Sequence, residues 1–237
     1  MSGAKLDISA DAQALARRVA GWLVAAAQAK AGRFAVCLSG GSTPRRLYET
    51  LAGTGYRDRF PWGRTHWFWG DERFVPPDDP LSNYRMVREA MLSRAPVPAE
   101  NVHPVPTTGL APEEAAARYE ATLRAFHGAD PAPGAPLFDV TLLGLGPDGH
   151  TASLFPGDAA LAERKRWVVA VVGAKAEARI SLTYPALESS AATAFLVEGA
   201  EKRDIFKRFR AGDPALPASR LSPKGELWYF ADKATAG

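Results

Sequence analysis

Mainly apolar runs, each followed by a glycine-containing loop, constrain the fold of this chain more than any other feature. The first, Phe34–Leu38, is a continuous apolar run, and Thr65–Trp69 and Phe138–Leu143 are similar. Strands of this kind have to be covered on both faces, which is typical of a parallel sheet lying between helices. Further strands are predicted at Trp167–Val172, Ile180–Thr183, Thr193–Val197 and Leu227–Phe230.

Helical patterns separate these strands. Ser9 is predicted to cap a helix that passes through Trp22 and ends near Gly32. The alternation of strands and helices predicts an α/β fold with a mostly parallel sheet covered on both faces, and it places ligands beyond the carboxyl ends of the strands. The other predicted helices are Pro44–Leu51, Ser82–Met91 and Pro112–Phe126.

The chain shows no clear break in composition. Its 237 residues fit either one large domain or two small ones. The Gly/Pro/Ala-rich stretch Gly128–Pro136 is interpreted as an exposed connection rather than a boundary. We therefore predict a single domain that spans residues 1–237.

The charge balance and the cysteine count bound the function. Lys and Arg total 29 against 26 Asp and Glu, a net charge of +3. This mild excess fits either a nucleic-acid partner or a few cations reserved for an acidic ligand. The single cysteine excludes an intramolecular disulfide, and the four histidines are not spaced as metal ligands. With neither a signal peptide nor an apolar span, a cytoplasmic protein without a metal is expected.

The loop after the first of these strands, Ser39–Pro44, has the composition of an anion site. Its backbone N–H groups, two hydroxyls and the positive end of the following helix dipole can face an anion. It is neither a Walker loop nor a dinucleotide-binding turn. A tight turn with an ordinary helix cap would look the same, so both interpretations stay open. The residues concerned are Gly40, Gly41, Ser42 and Thr43.

Charged residues follow the strand Thr65–Trp69. The segment Gly70–Pro76 places two acids and an arginine at the end of a buried strand, where unpaired charges are rare. A solvated turn with a local Asp–Arg pair also fits this pattern. We take Asp71 and Arg73 as candidate site residues.

Glycines spaced as in a dinucleotide-binding turn follow the strand Phe138–Leu143. We exclude a nicotinamide or flavin enzyme, because Pro147 and Asp148 put a rigid turn and a carboxylate where a pyrophosphate would lie. The strand Trp167–Val172 also leads into Gly173 without the acid that would bind a ribose.

The same loop projects Asp148 and His150 from the strand end. Histidine is suited to general base catalysis near neutral pH, and a neighbouring carboxylate can orient its ring. A lone histidine is more often a helix cap or a surface residue, and His66, His103 and His127 are interpreted in that way. His150 differs from these three because it lies in a glycine-rich turn at a strand end, beside Asp148.

Two cations, Arg179 and Lys202, could hold a phosphoryl group together with the glycine loop. Each alone would be interpreted as a surface charge. The run Lys202–Arg210 also suggests nucleic-acid binding. Its aromatic residues lie at helical spacing with Ile205, which favours a solvated helix with one buried face.

Several motifs together resemble the 6-phosphogluconolactonase family, whose relatives include the glucosamine-6-phosphate deaminases. The long glycine-rich motif is highly specific, whereas the Ser-Gly-Gly-Ser-Thr-Pro loop is shared with the deaminases. The deaminases typically have Asp-Glu-Tyr at the positions of Asp71–Arg73 and Ile-Ala-Phe-Asn-Glu-Pro at those of Thr151–Pro156. This chain has the lactonase form at both. The matching motifs are Leu38–Pro44, Trp69–Val75, Ser82–Tyr84, Leu143–Pro156 and Arg179–Thr183.

The resemblance implies hydrolysis of 6-phospho-D-glucono-1,5-lactone to 6-phospho-D-gluconate without a metal or an organic cofactor. It also implies a three-layer α/β sandwich, related to the deaminases and to ribose-5-phosphate isomerase. His150 would be the base that activates water, with Asp148 beside it. The residues implied to line or complete the cleft are Gly40, Gly41, Ser42, Thr43, Asp71 and Arg73, and the implied phosphate anchors are Arg179 and Lys202.

Other functions stay open beside this one. A glucosamine-6-phosphate isomerase/deaminase is the closest alternative, and Arg73 and Leu154–Pro156 argue against it. A catalytically silent sugar-phosphate sensor is a second, and the presence of Asp148 and His150 argues against that. A direct nucleic-acid binder is the least favoured. The expected partner is a small sugar-phosphate lactone, with no nucleic acid, membrane or obligate protein partner.

Overall fold

The computed structural model describes residues 3–128 and 134–237 of the chain. Strands and helices alternate through most of these residues. The strands are β1 (Lys5–Ser9), β2 (Phe34–Leu38), β3 (Thr65–Trp69), β4 (Asp71–Arg73), β5 (Phe138–Gly144), β6 (Val168–Val171), β7 (Arg179–Leu182), β8 (Ser190–Val197) and β9 (Glu226–Asp232). The helices are α1 (Ala12–Ala29), α2 (Ser42–Leu51), α3 (Asn83–Ala90), α4 (Pro112–His127), α5 (Tyr184–Leu187), α6 (Arg203–Arg210) and α7 (Lys233–Ala236).

The central sheet has six strands in the order β1-β9-β8-β5-β2-β3. Every neighbouring pair in it runs parallel. All five residues of β2 are buried, because β2 lies in the interior of the sheet between β5 and β3. The predicted α/β fold with a mostly parallel sheet is confirmed.

Alternating side chains of β9 show how the sheet is covered. Trp228 and Phe230 contact Trp22 of α1, with ring centroids 5.9 and 5.3 Å apart. Tyr229 lies between them in the sequence and points to the opposite face, where it contacts Phe209 of α6 at 5.0 Å. Helices α1 and α6 therefore pack on opposite faces of the sheet, which gives the three layers that the family resemblance implies.

The sequence predicts one mostly parallel sheet, and the structure has a second, smaller sheet as well. It is antiparallel, with the order β4-β7-β6. The predicted strands Trp167–Val172 and Ile180–Thr183 correspond to β6 and β7. The connection between them, residues 172–178, contains no helix, and parallel neighbours need a crossover of a dozen or more residues. The charged segment Gly70–Pro76, interpreted as a loop, supplies β4.

The first helix begins later than the sequence predicts. Asp11, and not Ser9, caps α1, and its side chain accepts the backbone N–H of Ala14 at 2.7 Å. Ser9 instead ends β1, an edge strand that the sequence analysis did not identify because polar residues interrupt its short apolar pattern. The helix predicted over Pro44–Leu51 begins earlier, at Ser42.

The basic run Lys202–Arg210 contains the whole of α6. Ile205, Phe206 and Phe209 are buried there, so the interpretation as a helix with one buried face is confirmed. Of the predicted connection Gly128–Pro136, residues 129–133 lie outside the described part of the chain. The single domain over residues 1–237 stays a prediction.

A buried carboxylate joins the small sheet to α3. The Glu72 side chain accepts backbone N–H groups from Arg73 and Asn83 at 2.7 and 2.8 Å. It also accepts the N–H of Tyr84 at 2.7 Å and the hydroxyl of Ser82 at 3.2 Å. Burial raises the pKa of Glu72, and the hydrogen bonds from these backbone N–H groups oppose that effect. The carboxylate thus satisfies N–H groups at the positive end of α3 and fixes β4 beside it.

Replacing Glu72 with alanine should lower the free energy of unfolding by about 2–4 kcal/mol, because buried N–H groups would lose their acceptor. Urea denaturation followed by circular dichroism measures the loss. Glu72→Gln keeps one amide oxygen as an acceptor and should lose less. Equal stability of the wild type and Glu72→Ala would show that this carboxylate does not anchor β4.

Candidate active site

A cleft of about 240 Å³ lies where the carboxyl ends of β2 and β5 meet β4. It contains residues from each of the three strand-end loops that the sequence analysis singled out, and from the start of α3. The residues that line it are Ser39, Gly40, Gly41, Asp71, Arg73, Asn83, Gly144, Leu145, Gly146, Pro147, His150, Thr151, Ala152 and Lys202.

Asp148 and His150 form a hydrogen-bonded dyad at this cleft. Nδ1 of His150 lies 2.5 Å from Oδ1 of Asp148, and the backbone N–H of His150 donates to the same oxygen at 3.1 Å. Partial burial opposes ionisation of Asp148, but the hydrogen bonds from His150 outweigh it and hold the pKa of this carboxyl below its ordinary value. A charged carboxylate can only accept, so Nδ1 carries the proton and Nε2 is left to act as a base.

Two glycines let the dyad adopt this geometry. A Cβ on Gly146 would lie 2.0 Å from Nδ1 of His150, so the imidazole packs directly against the glycine backbone. Gly149 has φ +81°, and a Cβ there would lie 2.7 Å from the Leu216 side chain. The backbone N–H of Gly146 also donates to the carbonyl of His150 at 2.8 Å, which closes the turn. Close approach, rather than dinucleotide binding, accounts for both glycines.

Asp71 is held in place from two sides. Its Oδ2 accepts the hydroxyl of Ser153 at 2.7 Å, and its backbone carbonyl accepts Nδ2 of Asn83 at 2.9 Å. Asn83 also packs against the glycine loop, because a Cβ on Gly40 would lie 2.1 Å from its Oδ1. Ser153 is three residues from His150, so one hydrogen bond fixes Asp71 relative to the segment that carries the dyad.

The glycine loop leads into α2 without a side-chain cap. Gly41 is the N-cap residue and has φ +106°, a conformation that favours glycine. The Tyr48 hydroxyl donates to the Ser39 carbonyl at 2.8 Å and accepts its N–H at 3.0 Å, which fixes the start of the loop. N–H groups at the positive end of α2 are thus available to an anion. Ser42 and Thr43 lie in the first turn of α2 and are not among the residues that line the cleft.

The predicted cations reach the site from separate elements. Arg73 and Lys202 line the cleft, and each donates to a carbonyl oxygen: Nη1 of Arg73 to Leu81 at 2.5 Å, and Nζ of Lys202 to Leu145 at 2.9 Å. Arg179 does not line the cleft, but it lies directly opposite Arg73 in the antiparallel pairing of β4 and β7. Side chains of opposed residues project from the same face of a sheet, so both arginines point to the cleft side.

The sequence analysis did not identify Asn83 or Ser153 as site residues. The motif Ser82–Tyr84 was a signal for Asn83. Its serine caps α3, because the Ser82 hydroxyl accepts the N–H of Arg85. Ser153 lies in the specific glycine-rich motif. Its contact with Asp71 joins residues 82 positions apart, which spacing in the sequence does not predict.

The remaining histidines pack away from the cleft. His66 and His103 stack with their nearest ring nitrogens 3.1 Å apart, and His127 contacts Trp167. Within residues 3–128 and 134–237, no group of three or more His, Cys, Asp or Glu is arranged to hold a metal ion. In the same residues, no helix has the length and apolarity that crossing a membrane requires.

The family described as glucosamine-6-phosphate isomerases/6-phosphogluconolactonase has a sequence model that matches residues 9–229. The chain belongs to this family. The curated 6-phosphogluconolactonase of Nostoc sp. is 45% identical over 207 residues, covering 86% of this chain and 83% of that protein. The 6-phosphogluconolactonase of Haemophilus influenzae is 37% identical over 206 residues, covering 84% of each. The resemblance inferred from the motifs is confirmed.

Solved structures in the glucosamine-6-phosphate isomerase/6-phosphogluconolactonase family have the same fold. The crystal structure of 6-phosphogluconolactonase from Thermotoga maritima gives a TM-score of 0.84 at 32% identity, covering 97% of this chain and 100% of that one. A monomeric glucosamine-6-phosphate deaminase gives a TM-score of 0.83 at 17% identity, covering 98% of each chain. That second likeness is one of fold alone, and it confirms the expected relation to the deaminase fold.

Replacing Gly146 with alanine should displace the His150 ring, because the new Cβ would occupy its position. A crystal structure of Gly146→Ala should show the Nδ1–Asp148 contact broken. Gly55→Ala is a matched control, since a Cβ there meets no atom within 4 Å and its φ is ordinary. An undisturbed imidazole in Gly146→Ala would refute the packing argument.

Proposed function

We propose that the protein hydrolyses 6-phospho-D-glucono-1,5-lactone to 6-phospho-D-gluconate, the second step of the oxidative pentose phosphate pathway. The observation that carries this proposal is the His150–Asp148 dyad, which lies in the same cleft as Arg73 and Lys202. A base beside a cluster of cations suits a substrate with an ester carbonyl at one end and a phosphoryl group at the other. The printed names of the relatives support the same reaction.

In the proposed mechanism, His150 acts as a general base through Nε2. Asp148 holds the Nδ1–H and stabilises the imidazolium that forms when Nε2 takes a proton from water. The resulting hydroxide attacks the lactone carbonyl. The ring C–O bond then breaks, and the imidazolium returns its proton to the leaving ring oxygen, which opens the ring to the carboxylic acid. Neither a covalent nucleophile nor a metal is needed, because a six-membered lactone is an activated ester.

The phosphoryl group has a separate role in this scheme. Arg73, Arg179 and Lys202, with the uncapped start of α2, would anchor it several bonds away from the carbonyl. Binding energy gained there orients the ring at the reacting centre. Asp71, with Ser153 holding one oxygen, would accept a hydrogen bond from a sugar hydroxyl through the other.

The direct test follows disappearance of the lactone itself, with subtraction of its spontaneous hydrolysis. The wild type should accelerate it, and His150→Ala should lower kcat by about two orders of magnitude or more, the scale of a lost general base. Affinity for 6-phosphogluconate, measured by calorimetry, should be largely unchanged.

A near-wild-type rate in His150→Ala would remove His150 from the mechanism. Release of ammonia from glucosamine 6-phosphate by the wild type, without lactone hydrolysis, would replace the proposed reaction with a deaminase. His127→Ala is a matched control, because His127 packs outside the cleft.

Removing either proposed phosphate anchor should act on binding. Arg179→Ala and Lys202→Ala should each lower the affinity for 6-phosphogluconate about tenfold or more, which is the scale of one lost charge-assisted contact. Titration calorimetry measures this loss. Arg118→Ala, on the exposed face of α4, removes the same charge outside the cleft and should leave the affinity unchanged. Unchanged affinity in both anchor variants would remove these cations from the phosphate site.

A further inference from the structure

The guanidinium of Arg179 is largely buried and only partly paired, which costs free energy. The Arg179 side chain is only 13% exposed. Its Nε and Nη1 are buried and have no hydrogen-bond partner among the described residues. Buried donors without acceptors cost free energy, and more so when the group is charged.

A second positive charge adds to this cost. Arg73 lies directly opposite Arg179 in the β4–β7 pairing, and like charges at opposed positions repel. Burial lowers the pKa of Arg179, and the charge of Arg73 lowers it further, while Asp71, Glu177 and Glu72 act in the opposite direction. Arg179 therefore favours a negatively charged partner.

Glu177 forms an ion pair with Arg179. Its Oε2 lies 3.5 Å from Nη2 of Arg179, the ion pair that the described residues provide for this arginine. Asp71 and Glu72 have other partners: Asp71 accepts from Ser153, and Glu72 accepts N–H groups of α3. The Glu177 pair is long for a charge-assisted contact and leaves two of the three guanidinium nitrogens without an acceptor.

The backbone around Glu177 lets this side chain leave. The carbonyl of Ala178 accepts the N–H of Phe74 at 2.8 Å, which pins the start of β7. The connection before it is exposed from Val172 to Ala176 apart from half-buried Ala174, and the Glu177 side chain is 31% exposed. Glu177 can turn into solvent while Arg179 stays where β7 holds it.

We propose that Glu177 is an internal counter-ion that occupies Arg179 in the free protein and is displaced by the phosphoryl group of the substrate. This inference rests on the proposed function for the identity of the substrate. Glu177 competes with the phosphoryl group for Arg179, so it lowers the affinity for phosphorylated ligands. It also sets how much negative charge a ligand needs in order to displace it. A sugar acid without a phosphoryl group leaves the Glu177–Arg179 pair intact and is unaffected by the competition.

The test is Glu177→Gln, which keeps the shape and removes the competing charge. Titration calorimetry with 6-phosphogluconate and with inorganic phosphate should show binding about three- to tenfold tighter than in the wild type, the scale of one partly exposed ion pair. Affinity for gluconate, which has no phosphoryl group, should not change. If Glu177 has only a structural role, Glu177→Gln should bind phosphorylated ligands more weakly, or should change the affinities for phosphorylated ligands and for gluconate alike.

Two controls separate competition from a general charge effect. Glu114→Gln removes a carboxylate from an exposed ion pair on α4 and should leave phosphate affinity unchanged. In an Arg179→Ala background, Glu177→Gln should not raise the affinity for phosphate, because Glu177 then has no arginine to occupy. Glu177→Ala repeats the measurement with a smaller side chain if the glutamine variant folds poorly, which thermal unfolding reports.

Unchanged or weaker phosphate binding in Glu177→Gln overturns the counter-ion proposal, and so does equal tightening in the Arg179→Ala background. Failure of the proposed function gives a different result. If the wild type hydrolyses no lactone but Glu177→Gln still binds inorganic phosphate more tightly, the counter-ion stands and the substrate assignment falls. If the lactone is hydrolysed and no tightening occurs, the assignment stands and the counter-ion falls.

Discussion

The carboxylate of Glu72 is the interaction on which the arrangement of the site depends. It is 2% exposed, and it joins the start of α3 to β4 through hydrogen bonds to backbone N–H groups of Asn83 and Tyr84. Successive residues of a strand point to opposite faces, so fixing Glu72 toward α3 turns Asp71 and Arg73 to the other side, where the cleft lies. The same strand sets the register of β7. One buried acid therefore orients an acid and a cation of the site.

The central sheet could be predicted because its strands carry their own signal. Phe34–Leu38 is apolar at every position and is buried at every position, since it lies inside a sheet covered on both faces. The small sheet carries no such signal. β4 is the charged triplet Asp71–Arg73, whose side chains do not favour a strand. It forms one because the fold brings β7 beside it. β1 was missed for the related reason that an edge strand is half exposed and needs few apolar residues.

The residues of the site also differ in how well the sequence predicts them. Gly40 and His150 lie on strand-end loops and were predictable because the carboxyl ends of parallel strands meet at one edge. Asp71 was predictable because it closely follows the carboxyl end of β3, although it belongs to β4. Asn83 and Ser153 were not, since each is a buried polar residue whose purpose is a hydrogen bond to a distant partner. Sequence spacing predicts contacts within an element. Contacts between elements depend on a packing that only the folded chain defines.

Charge neutralisation distinguishes the cleft from the rest of the surface. On the helix faces, arginines pair with glutamates four residues away, as in Arg85–Glu89 and Arg124–Glu120, and such exposed pairs leave little field. Arg73 and Lys202 are held differently, by carbonyl oxygens that position a cation without cancelling its charge. Arg73 and Lys202 therefore keep their charge in the cleft, where Asp71 is the one acid among the lining residues that the structure describes.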